Sequence, residues 1–87
     1  MDEIVYSVVR RQWDSLTYGS MAYWDKIQVI GVFRTEEDAR RYSENDAEKI
    51  GADISEVSDN GHYYYGTYTV HGVKHGVEYR ISRTLLH

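Results

Sequence analysis

Residues 3–11, Glu-Ile-Val-Tyr-Ser-Val-Val-Arg-Arg, are β-branched and aromatic and predict a strand. Ile4, Tyr6 and Val8 alternate with Val5, Ser7 and Val9, so both faces are apolar and the strand is expected inside a sheet. Residues 25–33 predict a second strand, with Ile27, Val29, Gly31 and Phe33 on one face and Lys26 and Gln28 on the other. Residues 12–24, with Gly19 near the middle, read as their connection, which makes the pair a long hairpin. Thr35 then stands as an N-cap, with Glu36, Glu37 and Asp38 in the first helical turn and Asp38 at the capping-box position. The helix is expected to run to about Ile50 and to stop at Gly51. Its inner face, Ala39, Tyr42, Ser43, Ala47 and Ile50, is narrow enough to lie on a sheet. Glu36–Arg40 and Glu37–Arg41 are i,i+4 pairs in the favourable order.

Beyond the helix, residues 52–60 are polar and give no clear period, with Ile54 and Val57 supporting at most a short extended piece. Asp59-Asn60-Gly61 signals a turn. Residues 62–70 predict a strand with Tyr63 and Tyr65 on one face and Tyr64 and Tyr68 on the other. Residues 71–76 turn the chain, and residues 77–85 form the last strand. There Val77, Tyr79, Ile81 and Leu85 oppose Glu78, Arg80 and Ser82. The expected fold is α+β, a single domain over residues 1–87, with a four-stranded antiparallel sheet and one helix on one face, in the order ββαββ. A single helix covers only one face of such a sheet. The second face and the 12–24 segment are therefore where function is sought.

Composition sharpens this picture in three places. The 87 residues include nine Tyr but no Cys and no Pro. Without Cys there is no disulfide and no thiolate metal or redox site. A chain this short buries only about 60–65% of its unfolded surface, so it must use large side chains or dimerise. Without Pro, the sheet edges lack one common guard. No apolar run is long enough to span a membrane, and the acidic start Met1-Asp2-Glu3 is unlike a signal peptide. No membrane partner and a cytoplasmic location are the expectation. The net charge of −4 is uneven, because residues 36–59 hold nine acids against three bases. This argues against general phosphate-backbone binding and for a partner with a basic surface.

The segment Ile30-Gly31-Val32-Phe33-Arg34-Thr35-Glu36-Glu37-Asp38-Ala39 resembles a strand-to-helix motif of small bacterial and phage ββαββ proteins of unknown function. The resemblance covers residues 3–50 and the terminal strands, and its motif is mostly structural: Phe33 staples the helix start and Thr35 caps it. It implies a fold and an origin on a phage or mobile element. It brings no catalytic residues.

Trp13, Tyr18, Met21, Tyr23 and Trp24 are of the residue types that dominate protein interfaces. The plainer reading is that some of them seal the end of a small core. Glu37, Glu44 and Glu48 on the helix could steer toward a basic surface, the plainer reading being a solvated face. Together they suggest a small non-enzymatic interaction protein that binds and inhibits a host or phage protein, such as a nucleic-acid-guided defence complex. An alternative is a nucleic-acid or small-ligand module, with Tyr63 and Tyr65 stacking and Arg80 supplying charge on an open sheet face. A third is a structural homodimer through open faces or edge strands. No Gly-rich phosphate loop, nucleophile elbow or acid–His–His pattern is present, so no catalytic residue, metal or cofactor is expected. His71 and His75, with His62 nearby in sequence, read as surface histidines of a hairpin.

Overall fold

A computed structural model describes residues 3–13 and 25–86. Its elements are β1 (Glu3–Trp13), β2 (Asp25–Phe33), α1 (Glu36–Lys49), β3 (Asp53–Val57), β4 (Tyr63–Val70) and β5 (Val73–Leu86). The fold is α+β, but the expected four strands in the order ββαββ are corrected to five. They form one antiparallel sheet in the order β2-β1-β5-β4-β3. The added strand is β3, which pairs with β4. Asp53, Ser55 and Glu56 give it a polar edge character, and an irregularity between Ile54 and Glu56 breaks the alternation by which a strand is recognised.

The helix links the two edges of the sheet, β2 and β3. Its 14 residues make a rod of ~21 Å. Five strands set ~4.8 Å apart span ~19 Å. One helix therefore carries the chain from edge to edge across a single face. Thr35 caps it by accepting from the Asp38 backbone N–H through Oγ1 at 3.1 Å. Ala39, Ser43 and Ala47 are its buried residues. The Ser43 hydroxyl donates to the Ala39 carbonyl at 2.9 Å, which satisfies it inside the core.

Under the helix lie Val8, Tyr64, Val77, Tyr79 and Ile81, with Tyr6, Ile30, Phe33, Ile54 and Tyr68 at the margin. Phe33 meets Tyr42 of the helix with ring centroids 5.0 Å apart. A polar knot pins the middle of α1 to the sheet. Asp46 accepts from the Tyr79 hydroxyl at 2.6 Å and from Arg10 Nη1 at 2.8 and 3.0 Å. Arg10 Nη2 also donates to Gln28 Oε1 at 3.3 Å. Burial disfavours the Arg10 charge, but the hydrogen bond and charge of Asp46 outweigh it and raise the Arg10 pKa. Burial together with the bond to Asp46 holds the Tyr79 phenol far above its usual range.

A bulge decides which way β2 faces. Val8 pairs with Gly31 and Val9 with Val29, so Ile30 is an extra residue. It packs against the core. The expected parity of β2 is thereby split. Phe33 and Gly31 lie on the helix side with Gln28, whereas Ile27 and Val29 lie on the opposite face with Val32. The β4–β5 turn is also tighter than residues 71–76, since β5 begins at Val73. His71 and Gly72, with φ of 50° and 78°, make a two-residue turn that matches the sheet twist.

Gly66 is where β3 and β4 come closest. A Cβ there would lie 2.5 Å from the Asp53 carbonyl oxygen, a backbone atom that cannot swing aside. Gly66→Ala is expected to push β3 off the sheet and to cost roughly 2 kcal/mol. Urea unfolding measures the loss, and faster amide exchange confined to β3 and β4 locates it.

Candidate functional site

Strand alternation places two different surfaces on the two sides of the sheet. The side away from α1 carries Arg11 and Trp13 of β1, Glu78 and Arg80 of β5, and Tyr63 and Tyr65 of β4. No described helix or strand packs on it. Its centre is Glu78, which is only 5% exposed although it belongs to no apolar core. A buried carboxylate needs partners, and three side chains supply them. The Tyr63 hydroxyl donates to Oε2 at 2.8 Å. Arg80 Nε donates to Oε1 at 3.2 Å. Arg11 Nη1 lies 3.7 Å from the same oxygen.

Aromatic contacts extend the cluster. The Arg80 guanidinium sits over the Tyr63 ring at 5.5 Å, and Arg11 over the Trp13 ring at 5.4 Å. Trp13 meets Tyr65 edge-on, with centroids 6.1 Å apart. Five side chains from three adjacent strands thus hold one another in place around one carboxylate. The strands bring them together because Tyr63 pairs with Arg80, Tyr65 with Glu78, and Arg11 with Glu78 on the other side.

Burial and the bond to Glu78 push the Tyr63 phenol up to about 12 from its ordinary 10.0. The neutral phenol is the form the fold favours. Its contribution to stability is therefore complete below pH 10 and is lost as pH rises toward 12. Alkaline titration of phenolate absorbance is expected to show a component near pH 12, ahead of the still later Tyr79 phenol, that is lost in Tyr63→Phe and moved to lower pH in Glu78→Gln.

The structure brings together Tyr63, Tyr65 and Arg80, and adds Trp13 to them. Glu78 was not singled out as a site residue from sequence; its alternation with Val77 and Tyr79 on the face of Arg80 was the available signal. Tyr18, Met21, Tyr23 and Trp24 lie outside the described residues. Glu37, Glu44 and Glu48 are exposed on α1, on the far side of the sheet from Trp13. Trp13 and these three carboxylates do not share a surface. Glu37 is bound at 2.9 Å to Arg41, which neutralises part of the acidic face. Glu48 borders an open depression of about 520 Å³ with Tyr42, Asn45 and Lys49. Of the histidines, His62 pairs with Glu36 at 2.6 Å and His75 stacks on Tyr68 with ring centroids 5.1 Å apart. The His62 hydrogen bond, with help from Arg40, holds the Glu36 carboxyl below the ordinary range.

No known protein family matches the chain, and no curated protein or solved structure matches it either. Among the described residues, no helix is long and apolar enough to cross a membrane.

Proposed function

We propose that the chain is a non-enzymatic protein-interaction module that docks its partner on the sheet face opposite α1. The observation that carries this reading is the cluster of Trp13, Tyr63, Tyr65, Arg11 and Arg80 around buried Glu78. Trp, Tyr and Arg are the residue types that supply most binding energy at protein interfaces. They work best when already ordered, because binding then costs less side-chain entropy. Glu78 provides that order: one oxygen holds Tyr63, and the other holds Arg80 beside Arg11. Both carboxylate oxygens are engaged by these neighbours, which supports an organising role for Glu78.

Inhibition of a host protein is a narrower form of this reading, and it rests on the motif resemblance alone. The acidic helix face is the second surface and would act at long range, by attracting a basic partner, since it lies across the sheet from the cluster. Affinity capture with the whole chain separates the two contributions. Tyr65→Ala is expected to lower recovery of the partner at every salt concentration. Glu44→Gln with Glu48→Gln is expected to leave recovery intact at high salt and to weaken it only at low salt. Recovery unchanged by Tyr65→Ala would remove the open face from the function.

A further inference from the structure

The two edges of the sheet are built differently. The β3 edge is five residues long, carries Asp53 and Glu56, and has an irregularity between Ile54 and Glu56. Short length, charge and a bulge are the means by which proteins prevent edge pairing. The β2 edge also holds charged residues, Asp25 and Lys26, and a bulge at Ile30, but it is nine residues long and carries Ile27 and Val29, which are 64% and 60% exposed. Among the described residues nothing pairs with its outer side. Its N–H and C=O groups there form a ready template for another strand.

We propose that β2 pairs with β2 of a second copy of this chain, antiparallel and about a two-fold axis at Ile27. The register follows from the sequence and the bulge. The regular part of β2 is residues 25–29, because the extra residue Ile30 ends the even ladder. An axis at Ile27 overlaps all five positions. It sets Ile27 against Ile27, Asp25 against Val29 and Lys26 against Gln28, with no like charges opposed. An axis at Lys26 would set Lys against Lys, which is unfavourable for directly opposed cross-strand residues. An axis at Gln28 would run the pairing into the bulge, with Ile30 facing Lys26. The Ile27 axis also joins the two exposed aliphatics of each copy into one patch on the same face. The contact is isologous, so it closes at two copies. It uses edge backbone and aliphatic side chains, and it does not depend on the Glu78 cluster.

Sedimentation equilibrium of the whole chain, from low micromolar to millimolar concentration, tests this. The weight-average mass is expected to approach twice the monomer value as concentration rises. Ile27→Lys and Val29→Lys alter exposed side chains, so they should keep the native circular dichroism. Each is expected to weaken association at least tenfold, while Val32→Lys, beyond the bulge, leaves it in place. A single-copy mass at every concentration, growth past two copies, or association unaffected by Ile27→Lys would each overturn the proposal.

Discussion

Asp46→Ala is expected to lower the stability of the fold by about 3 kcal/mol. The carboxylate serves the Tyr79 hydroxyl at 2.6 Å and Arg10 at 2.8 Å, and so ties both groups to α1. Removing it leaves a guanidinium and a phenol under the helix without their acceptor. Stranding a partly buried charge costs more than the pair contributed, because the remaining partner loses its main compensation but stays partly desolvated. A chain of 87 residues has a total stability of roughly 4–13 kcal/mol. A loss of this size corresponds to a drop in melting temperature of roughly 15 °C. Thermal unfolding followed by circular dichroism reads it. The triple replacement Arg10→Met, Asp46→Ala and Tyr79→Phe removes every member of the knot together while keeping the small side chain at position 46. It is expected to recover most of the loss, whereas a loss due only to missing packing at position 46 would not recover.

The largest expected effect on binding belongs to Tyr65→Ala. Tyr65 stands on β4 beside Glu78 at the centre of the open face, paired with it and touching Trp13. Interface residues of this type in a central, ordered position cost about 2 kcal/mol or more when truncated. That is a loss of roughly thirtyfold in affinity. Calorimetric titration against the captured partner measures it. Glu78→Gln tests the organising role separately. The amide keeps the size and one acceptor but weakens its hold on Arg80 and Arg11, so an affinity loss of roughly tenfold is expected, with no change in the surface it contacts. Glu44→Gln, on the far side of the sheet, is expected to change the affinity less than twofold at physiological salt.

Much of this arrangement was legible in the residues themselves. The alternation of Val77, Tyr79 and Ile81 against Glu78 and Arg80 assigned the faces of β5, and the tyrosines of β4 divided in the same way. Thr35, the acids of the first turn and Gly51 marked the helix ends to within a residue or two. Two features were read only in part or not at all because their cause is tertiary: β3, seen only as a short extended piece at Ile54 and Val57, and the β2 bulge. β3 exists through backbone pairing with β4, and its side chains Asp53, Ser55 and Glu56 carry no hydrophobic period to announce it. The bulge at Ile30 inserts one residue into β2, and one residue reverses the face of everything before it. Ile27 and Val29, expected to share a face with Gly31 and Phe33, therefore lie on the open one instead. In the site, Tyr63, Tyr65 and Arg80 followed from parity, while buried Glu78 did not. Only the pairing of β5 with both β1 and β4 surrounds that carboxylate with Arg11, Arg80 and Tyr63.

Photo-crosslinking from single positions tests the docking face most directly. A benzophenone side chain at position 65 lies in the open face, and one at position 44 lies on the exposed side of α1. In the complex with the captured partner, position 65 is expected to give the covalent adduct and position 44 to give none. An adduct from position 44 with none from position 65 would contradict docking through the open sheet face.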